Sequence, residues 1–223
     1  MKIDILTLHP DMFTPLQTSI IGRAQEEGIV EINLINIRDY GLGKYRQVDD
    51  TPYGGGSGMV MRVDVVHRAI EAHRTEESLV LLMDPVGIPF QQRHARLLSQ
   101  REHLIIVCGH YEGIDSRVRE HFIDRVYSIG DFVLTGGELA AMVIVDATTR
   151  LITGVLGNAA SLTTESFDNG LLEHATYTRP RDFLGHQVPD ILFSGHHKKI
   201  EEFRMEDAKR ITEKYRPDLT SKS

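Results

Sequence analysis

Apolar runs and amphipathic stretches alternate along the chain in a regular order. Residues 79–83 and 104–108 are continuously apolar, which is typical of strands buried on both faces of a parallel sheet. The pattern of apolar and polar positions also predicts three further strands, at residues 2–8, 30–37 and 125–129. Between them, apolar positions at helical spacing predict helices over residues 12–25, 63–73, 89–100, 114–121 and 139–151. This alternation predicts an α/β fold in which helices cover both faces of a mostly parallel sheet.

The alternation ends near residue 157, and this change predicts the domain organisation. Residues 158–170 are rich in Ala, Ser and Thr, which is typical of a linker. Residues 171–223 show loop and helix patterns without strong strands, so we predict a small helical domain there. Residues 1–157 form the sheet domain. Within it, the spacing of Thr135 and Glu138 predicts a capping box at the start of the last helix.

Composition places the chain among ordinary globular proteins. Of its 223 residues, 41% are hydrophobic and 26% are charged, which excludes a disordered chain. The single cysteine, Cys108, excludes a disulfide framework and a cysteine-based zinc site, and its apolar strand favours a core role. The first ten residues are too short and too polar for a signal peptide, and no apolar run approaches 18 residues. We therefore expect a cytoplasmic protein that does not contact a membrane.

Glycine-containing loops follow three of the predicted strands, at residues 84–87, 109–115 and 130–138. A tight turn explains any one of them, but all three also carry a carboxylate. Because the carboxyl ends of parallel strands meet at one edge of a sheet, the three loops together predict a shared pocket. Glycine lets backbone N–H and C=O groups approach a ligand closely there. A fourth glycine-rich loop, residues 51–58, is either a lid or RNA-facing segment or a plain solvent loop.

Several common cofactor motifs are absent from the sequence. The first strand is followed by His9, Pro10 and Asp11, where a dinucleotide-binding fingerprint requires glycine. Neither the phosphate-binding GxxxxGK[ST] motif nor the zinc-binding HExxH motif occurs. The sequence therefore argues against a nicotinamide oxidoreductase, and we predict no metal-ligating residues.

Longer motifs give the chain a specific resemblance. It resembles the bacterial tRNA (guanine-N1)-methyltransferase family, the TrmD type, across nearly its whole length. The matching segments are residues 48–59 (VDDTPYGGGSGM), 107–115 (VCGHYEGID), 128–138 (SIGDFVLTGGE), 154–157 (GVLG), 170–172 (GLL), 177–180 (YTRP) and 194–197 (SGHH). The resemblance implies a knotted fold of the SPOUT type, in which the last part of the sheet domain forms a trefoil knot. It also implies a homodimer whose active site is shared between subunits.

The resemblance implies binding residues for two substrates. S-adenosyl-L-methionine, the methyl donor, would be held by Met83, Pro85, Gly109, Gly113, Ile129, Gly130, Asp131, Phe132, Val133, Leu134, Gly136 and Gly137. The tRNA would be held by Tyr111, Glu112, Gly55 and Arg181. Mg2+ is associated with the family's reaction, but no residue of this chain is assigned to it.

The implied reaction is methylation of N1 of guanine at position 37 of tRNA, immediately 3′ of the anticodon. Guanine N1 carries a proton, so a general base must remove it as the methyl group arrives. The base in the family is Asp in an Asp-Ser-Phe stretch, and Glu165 stands there in this sequence. Asp168 is the alternative base. Arg150 would stabilise the negative charge that builds toward O6.

Two further positions depart from the family pattern. His110 stands where many relatives carry Arg, and Thr176 stands where relatives often carry His before Tyr-Thr-Arg-Pro. These departures affect individual contacts with the donor or the tRNA and leave the reaction unchanged.

The charge distribution bears on the RNA partner. The net charge of −7 argues weakly against a nucleic-acid partner when the chain is taken as a whole. From His174 onward, however, basic residues outnumber acidic ones, and phosphate contacts depend on local positive charge. Two alternatives stay open: a knotted methyltransferase that modifies another RNA site or a ribose 2′-OH, and an RNA-binding protein without catalytic activity.

Overall fold

The computed structural model describes residues 1–157, 165–167 and 169–220. The chain divides into two compact units, Met1–Gly157 and Asn158–Ser223. In the described part of the chain, the longest and most apolar helices fall short of what crossing a membrane requires. Each unit is described by itself.

The first unit contains seven strands and five α-helices. The strands are β1 Lys2–Thr7, β2 Glu31–Asn36, β3 Asp49–Asp50, β4 Val60–Met61, β5 Ser78–Pro89, β6 His103–Cys108 and β7 Arg125–Ser128. The helices are α1 Ser19–Glu26, α2 Val63–Glu71, α3 Gln92–Leu98, α4 Ser116–His121 and α5 Glu138–Thr149. Two 3₁₀ helices lie at Pro10–Gln17 and Ile37–Tyr40.

Five of these strands form one parallel sheet in the order β2-β1-β6-β5-β7. The strands β3 and β4 form a separate antiparallel pair. The sequence therefore predicted the α/β class and the parallel sheet correctly.

The central strand β6 explains why continuous apolar runs mark this sheet. All six of its residues are buried. Leu104 and Ile106 pack in the core on the face that also holds Ile144 of α5, whereas Ile105 and Val107 pack on the opposite face. Each buried aliphatic side chain contributes about 1.5–3 kcal/mol. Helices cover both faces of the sheet, as the alternation predicted.

Strand β5 is longer than the sequence predicted. It continues past Met83 to Pro89, and both Met83 and Ile88 pair with Tyr127 of β7. The intervening residues bulge out of the ladder, and Gly87 packs against the Tyr127 backbone so closely that a Cβ would lie 2.5 Å from its carbonyl carbon. The predicted helix over residues 89–100 is consequently shorter and begins at Gln92.

One predicted helix and one predicted helix cap were wrong for identifiable reasons. Residues 12–25 do not form one helix, because Pro15 lies inside a 3₁₀ helix and α1 begins only at Ser19. The predicted capping box is absent, since α5 begins at Glu138 and its N-terminus has no side-chain cap. The Glu138 side chain instead accepts a hydrogen bond of 2.9 Å from Oγ1 of Thr7, the last residue of β1.

The second unit combines one long helix with short elements. It contains the hairpin of β8 Asp182–Phe183 and β9 His186–Gln187, and α6 His197–Tyr215. Two 3₁₀ helices lie at Asp190–Phe193 and Pro217–Leu219. The N–H of Ala175 donates to the buried Asp207 carboxylate at 2.8 Å, and the N–H of Leu172 donates to Oγ1 of Thr212 at 2.8 Å. These bonds fasten the segment before the hairpin to α6.

Candidate functional site

A cavity of about 520 Å³ lies where the bulge of β5 meets the loops after β6 and β7. This volume is typical of a small-molecule site. The lining residues are Met83, Asp84, Pro85, Val86, Gly109, His110, Tyr111, Glu112, Gly113, Ile114, Ser116, Arg119, Tyr127, Ser128, Ile129, Gly130, Phe132, Val133, Leu134, Thr135, Gly136, Gly137 and Ala140. The three glycine-containing loops therefore do form one pocket, as the sequence predicted.

Two of these loops are locked together through their backbones. The N–H of Gly137 donates to the carbonyl oxygen of Gly109 at 2.8 Å. A Cβ on Gly137 would lie 2.9 Å from the Cα of Cys108 and 3.0 Å from the nitrogen of Gly109. Since both contacts are with backbone atoms, the approach requires glycine. The third loop is braced by Ser128, whose Oγ donates to the carbonyl oxygen of Gly130 at 3.0 Å.

Most residues predicted to hold the methyl donor line this cavity. Eleven of the twelve do so, and Asp131 is the exception. Tyr111 and Glu112, predicted for the tRNA, also line it, whereas Gly55 does not. The loop that contains Gly55 also carries Tyr53, whose side chain is 99% exposed.

Sequence reasoning missed several lining residues. Arg119 of α4 adds a cation to the wall, and Ala140 of α5 and Tyr127 of β7 add apolar surface. Tyr127 and Ala140 lie inside elements that the sequence predicted, next to the glycine loops. Extending each loop into its flanking elements would have found these two.

His110 lies in the cavity wall beside a second histidine. Its ring centroid is 4.7 Å from that of His9 and 5.1 Å from that of Tyr111. Its Nδ1 is buried, and it has no hydrogen-bond partner among the residues described. The neighbouring Cys108 is fully buried, and burial, followed by the charge of Glu138, raises the pKa of its thiol well above the ordinary value. Cys108 is therefore a core residue, as predicted.

A second cleft, of about 830 Å³, adjoins the cavity and shares Glu112, Ile114 and Ser116 with it. Its walls carry paired charges. Arg62 donates two hydrogen bonds of 3.1 Å to Asp64, and these hold the pKa of that carboxyl below its ordinary value. Arg117 does the same for Asp115, with bonds of 2.9 and 2.7 Å. The cleft therefore presents both signs of charge, already paired within the protein.

Arg150, the predicted catalytic residue of the first unit, does not line its cavity. Arg150 caps the C-terminal end of α5 and lines a different, mostly apolar cleft of about 640 Å³ that also contains Ile20, Met142 and Val143. Glu165 belongs to the second unit and is half-buried. Asp168, the alternative base, lies outside the described residues.

The segment after Glu165 is held by local bonds. Phe167 has φ +77°, and its N–H donates to the carbonyl oxygen of Leu171 at 2.7 Å. Oγ of Ser166 accepts the N–H of Glu173 at 3.0 Å.

Arg181, predicted to contact tRNA, lies on the surface of the second unit. It forms an ion pair of 2.8 Å with Asp190, and its guanidinium lies 4.3 Å from the centroid of the Phe193 ring. Thr176, one of the departures from the family pattern, is also exposed. Throughout the part of the chain that the structure describes, no group of three or more His, Cys, Asp or Glu side chains could hold a metal ion.

Comparisons with known proteins agree with this architecture. The model of the family described as tRNA (guanine-1)-methyltransferase TrmD matches residues 1–222. Among similar proteins, the tRNA (guanine-N(1)-)-methyltransferase of Carboxydothermus hydrogenoformans is 56% identical over 205 residues, which cover 92% of this chain and 81% of the relative. The protein of the same name from Brevibacillus brevis is 51% identical over 224 residues, covering 100% of this chain and 92% of the relative. The chain therefore belongs to the TrmD family of tRNA (guanine-1)-methyltransferases.

Proposed function

We propose that the protein transfers a methyl group from S-adenosyl-L-methionine to N1 of the guanine at position 37 of tRNA. Membership of the TrmD family supports the tRNA guanine-N1 activity. The observation that carries the rest of the proposal is the cavity built from three glycine-containing strand ends. Its position at the carboxyl edge of a parallel sheet is where ligands of such sheets bind.

The cavity has the chemistry that the methyl donor requires. When bound, S-adenosyl-L-methionine supplies an electrophilic methyl group on a sulfonium centre. The backbones of Gly109, Gly136 and Gly137 give a wall without side chains, in which N–H and C=O groups can bond to an adenosine and an amino acid. Leu134 and Ile129 add apolar surface to the same wall. Holding the donor in one orientation is the largest part of catalysis for such a transfer.

Glu165 and Arg150 perform the chemistry on guanine in this proposal. The Glu165 carboxylate accepts the proton of N1, which leaves the N1 electron pair free to form the new bond to the methyl carbon. Arg150 lies beside O6 and stabilises the negative charge that develops there. The guanine must leave its stack to reach the methyl group, and Tyr111 and Glu112 would receive it.

The remaining assignments concern the whole molecule. We assign residues 1–157 to donor binding, residues 158–170 to a linker, and residues 171–223, with Arg181, to tRNA binding. A trefoil knot in the sheet domain, a homodimer that completes each active site, and action in the cytoplasm, where tRNA is found, complete the proposal. We assign no residue of the chain, in either subunit, to Mg2+, so any Mg2+ that takes part would bind with the tRNA.

The test is analysis of the product. Purified protein is incubated with unmodified tRNA and isotopically labelled S-adenosyl-L-methionine, and the nucleosides are separated and identified by mass spectrometry. We expect 1-methylguanosine from tRNA with guanine at position 37 and none from tRNA with adenine there. A methyl group on ribose would contradict the proposal and favour the 2′-OH alternative, and a protein that binds tRNA without transfer would favour the RNA-binding alternative.

A further inference from the structure

A buried carboxylate behind the wall of the cavity has no role in the reaction proposed above. Glu138 begins α5 and is 1% exposed. Its Oε1 accepts the hydrogen bond of 2.9 Å from Oγ1 of Thr7, and that hydroxyl oxygen in turn accepts the N–H of His9 at 2.9 Å. The carboxylate therefore ties the end of β1 to the start of α5.

The Glu138 carboxylate has two polar neighbours, the N-terminus of α5 and the Thr7 hydroxyl. A carboxylate in the first turn of a helix is stabilised by the helix dipole, and α5 is twelve residues long. A hydroxyl and a helix terminus compensate the burial of such a charge only in part. A neutral side chain could link β1 to α5 at a lower free-energy cost of burial, so the presence of a charged residue type here calls for an explanation.

Gly136 and the His110 side chain, which both line the cavity, lie next to this carboxylate. Gly136 and Gly137 line the cavity, and so does Ala140, whereas the Glu138 side chain points to Thr7. The position that a Cβ would occupy on Gly136 lies beside Oε2 of Glu138 and 2.7 Å from Nδ1 of His110. The carboxylate therefore lies beside Gly136, a residue of the cavity wall.

We propose that Glu138 is a positioning and specificity-determining residue that favours the cationic methyl donor over its neutral product. The inference rests on the proposed function, because the sulfonium of S-adenosyl-L-methionine is positive and the thioether of S-adenosyl-L-homocysteine is neutral. Apart from this charge, the product differs from the donor only in lacking the transferred methyl group. A buried negative charge acts over several ångströms through a medium of low dielectric constant. It therefore strengthens binding of the donor and leaves binding of the spent product unchanged, which also assists product release.

The experiment compares the dissociation constants of the two molecules by calorimetry on the full chain. It is done at one pH, pH 8, for every variant. The variant Glu138→Gln keeps the size of the side chain and an oxygen for Thr7 but removes the charge. We expect donor affinity to fall about fivefold while product affinity stays the same.

Two variants separate charge from packing. Thr7→Val keeps the carboxylate but removes its hydrogen bond, so we expect it to lower the affinities for donor and product by the same factor. Glu27→Gln removes a carboxylate that is exposed in the same unit, and we expect it to change neither affinity.

The outcomes distinguish this inference from the proposed function. Equal affinity changes for donor and product in Glu138→Gln, or no change, would overturn the role of the charge. Failure of the unaltered protein to bind either molecule would instead contradict the proposed function. If Glu138→Gln does not fold, Glu138→Asp decides, because its shorter stem moves the charge from its present position beside Gly136. In that variant we expect the preference for the donor to fall, and an unchanged preference would overturn the inference.

Discussion

Gly137 and Gly109 both line the cavity, but the atoms that surround them differ. A Cβ on Gly137 would meet backbone atoms of Cys108 and Gly109 at 2.9 and 3.0 Å, and backbone cannot move aside cheaply. A Cβ on Gly109 would meet the Ile114 side chain at 3.5 and 3.6 Å and the carbonyl oxygen of Met83 at 4.0 Å, which are ordinary contacts. The first glycine is therefore required by packing and the second is not.

This difference predicts unequal costs for the same substitution. We expect Gly137→Ala to lower the free energy of unfolding by about 2 kcal/mol, because the added methyl group is forced against backbone. Gly109→Ala is the matched control and should change stability by less than about 0.5 kcal/mol. Urea unfolding followed by circular dichroism measures both. Equal losses in the two variants would contradict the packing argument.

The proposed role of Glu165 as general base leads to a second prediction. We expect Glu165→Gln to lower the single-turnover rate of methyl transfer about a hundredfold, because the amide cannot accept the N1 proton. Donor affinity should not change. Glu173→Gln, an exposed acid of the same unit, is the control and should keep the rate. If Glu165→Gln keeps the full rate while Asp168→Asn loses it, Asp168 is the base instead.

Single residues also show where sequence reasoning stops. Eleven of the twelve residues that the family resemblance assigns to the methyl donor line one cavity, and the glycine-containing loops at three strand ends predicted a shared pocket there. The bond between Thr7 and Glu138 spans 131 residues, and the Thr135–Glu138 spacing favoured a local capping box instead. Local sequence patterns predict bonds between residues that are close in the sequence. They cannot reveal a partner such as Thr7, which is distant in the sequence and bonds to Glu138 in place of a local cap.

Strands β6 and β5 differ in the same way, because the local pattern predicts β6, whereas a contact with a distant residue determines the end of β5. An apolar run predicted β6 closely, because every one of its side chains is buried. The end of β5 was missed because residues 84–87 leave the ladder and the strand then resumes, which depends on how closely Gly87 packs against the Tyr127 backbone. The missed bulge forms part of the cavity wall, since Asp84, Pro85 and Val86 line the cavity.

A buried polar network joins three strands and has consequences for stability. The Asp4 carboxylate of β1 is fully buried and accepts hydrogen bonds of 2.9 Å from Asn33 of β2 and from His103 of β6. Lys2 pairs with it at 3.0 Å, and Nδ1 of His73 lies 3.7 Å away. Burial by itself raises the pKa of Asp4, but the bonds from Asn33, Lys2 and His103 outweigh it, and the pKa lies below the ordinary 3.8.

The lowered pKa of Asp4 predicts how stability depends on pH. A carboxyl group with a lower pKa in the folded state stabilises the fold above its unfolded pKa, and this contribution is lost as the pH falls through the folded pKa. We expect Asp4→Asn to lower the free energy of unfolding by about 2 kcal/mol at pH 7. Between pH 5 and pH 3 the variant should lose less stability than the unaltered protein.

Urea unfolding at several pH values tests this prediction. Asp11→Asn, which removes an exposed carboxylate from the 3₁₀ helix after β1, is the control and should keep the full pH dependence. The same loss of stability between pH 5 and pH 3 in Asp4→Asn and in the unaltered protein would contradict the role assigned to the network.

At the scale of the whole molecule, the proposed catalytic residues lie in different compact units. Arg150 belongs to Met1–Gly157 with the cavity, and Glu165 belongs to Asn158–Ser223. Sequence motifs located both residues but carry no information on whether one active site takes them from one chain or from two. We propose the second arrangement, a homodimer in which each active site takes Arg150 from one subunit and Glu165 from the other.

This arrangement predicts that two variants, each inactive alone, regain activity when they are co-expressed. In a dimer of one Arg150→Ala and one Glu165→Gln subunit, one site receives both defects and the other receives none. Random pairing of co-expressed subunits makes half of the dimers mixed, so we expect about a quarter of the unaltered activity. Each variant alone should show about a hundredth or less. If both residues act within one chain, every site keeps one defect, and co-expression restores nothing. The recovered activity therefore decides whether the site is built within a subunit or between two.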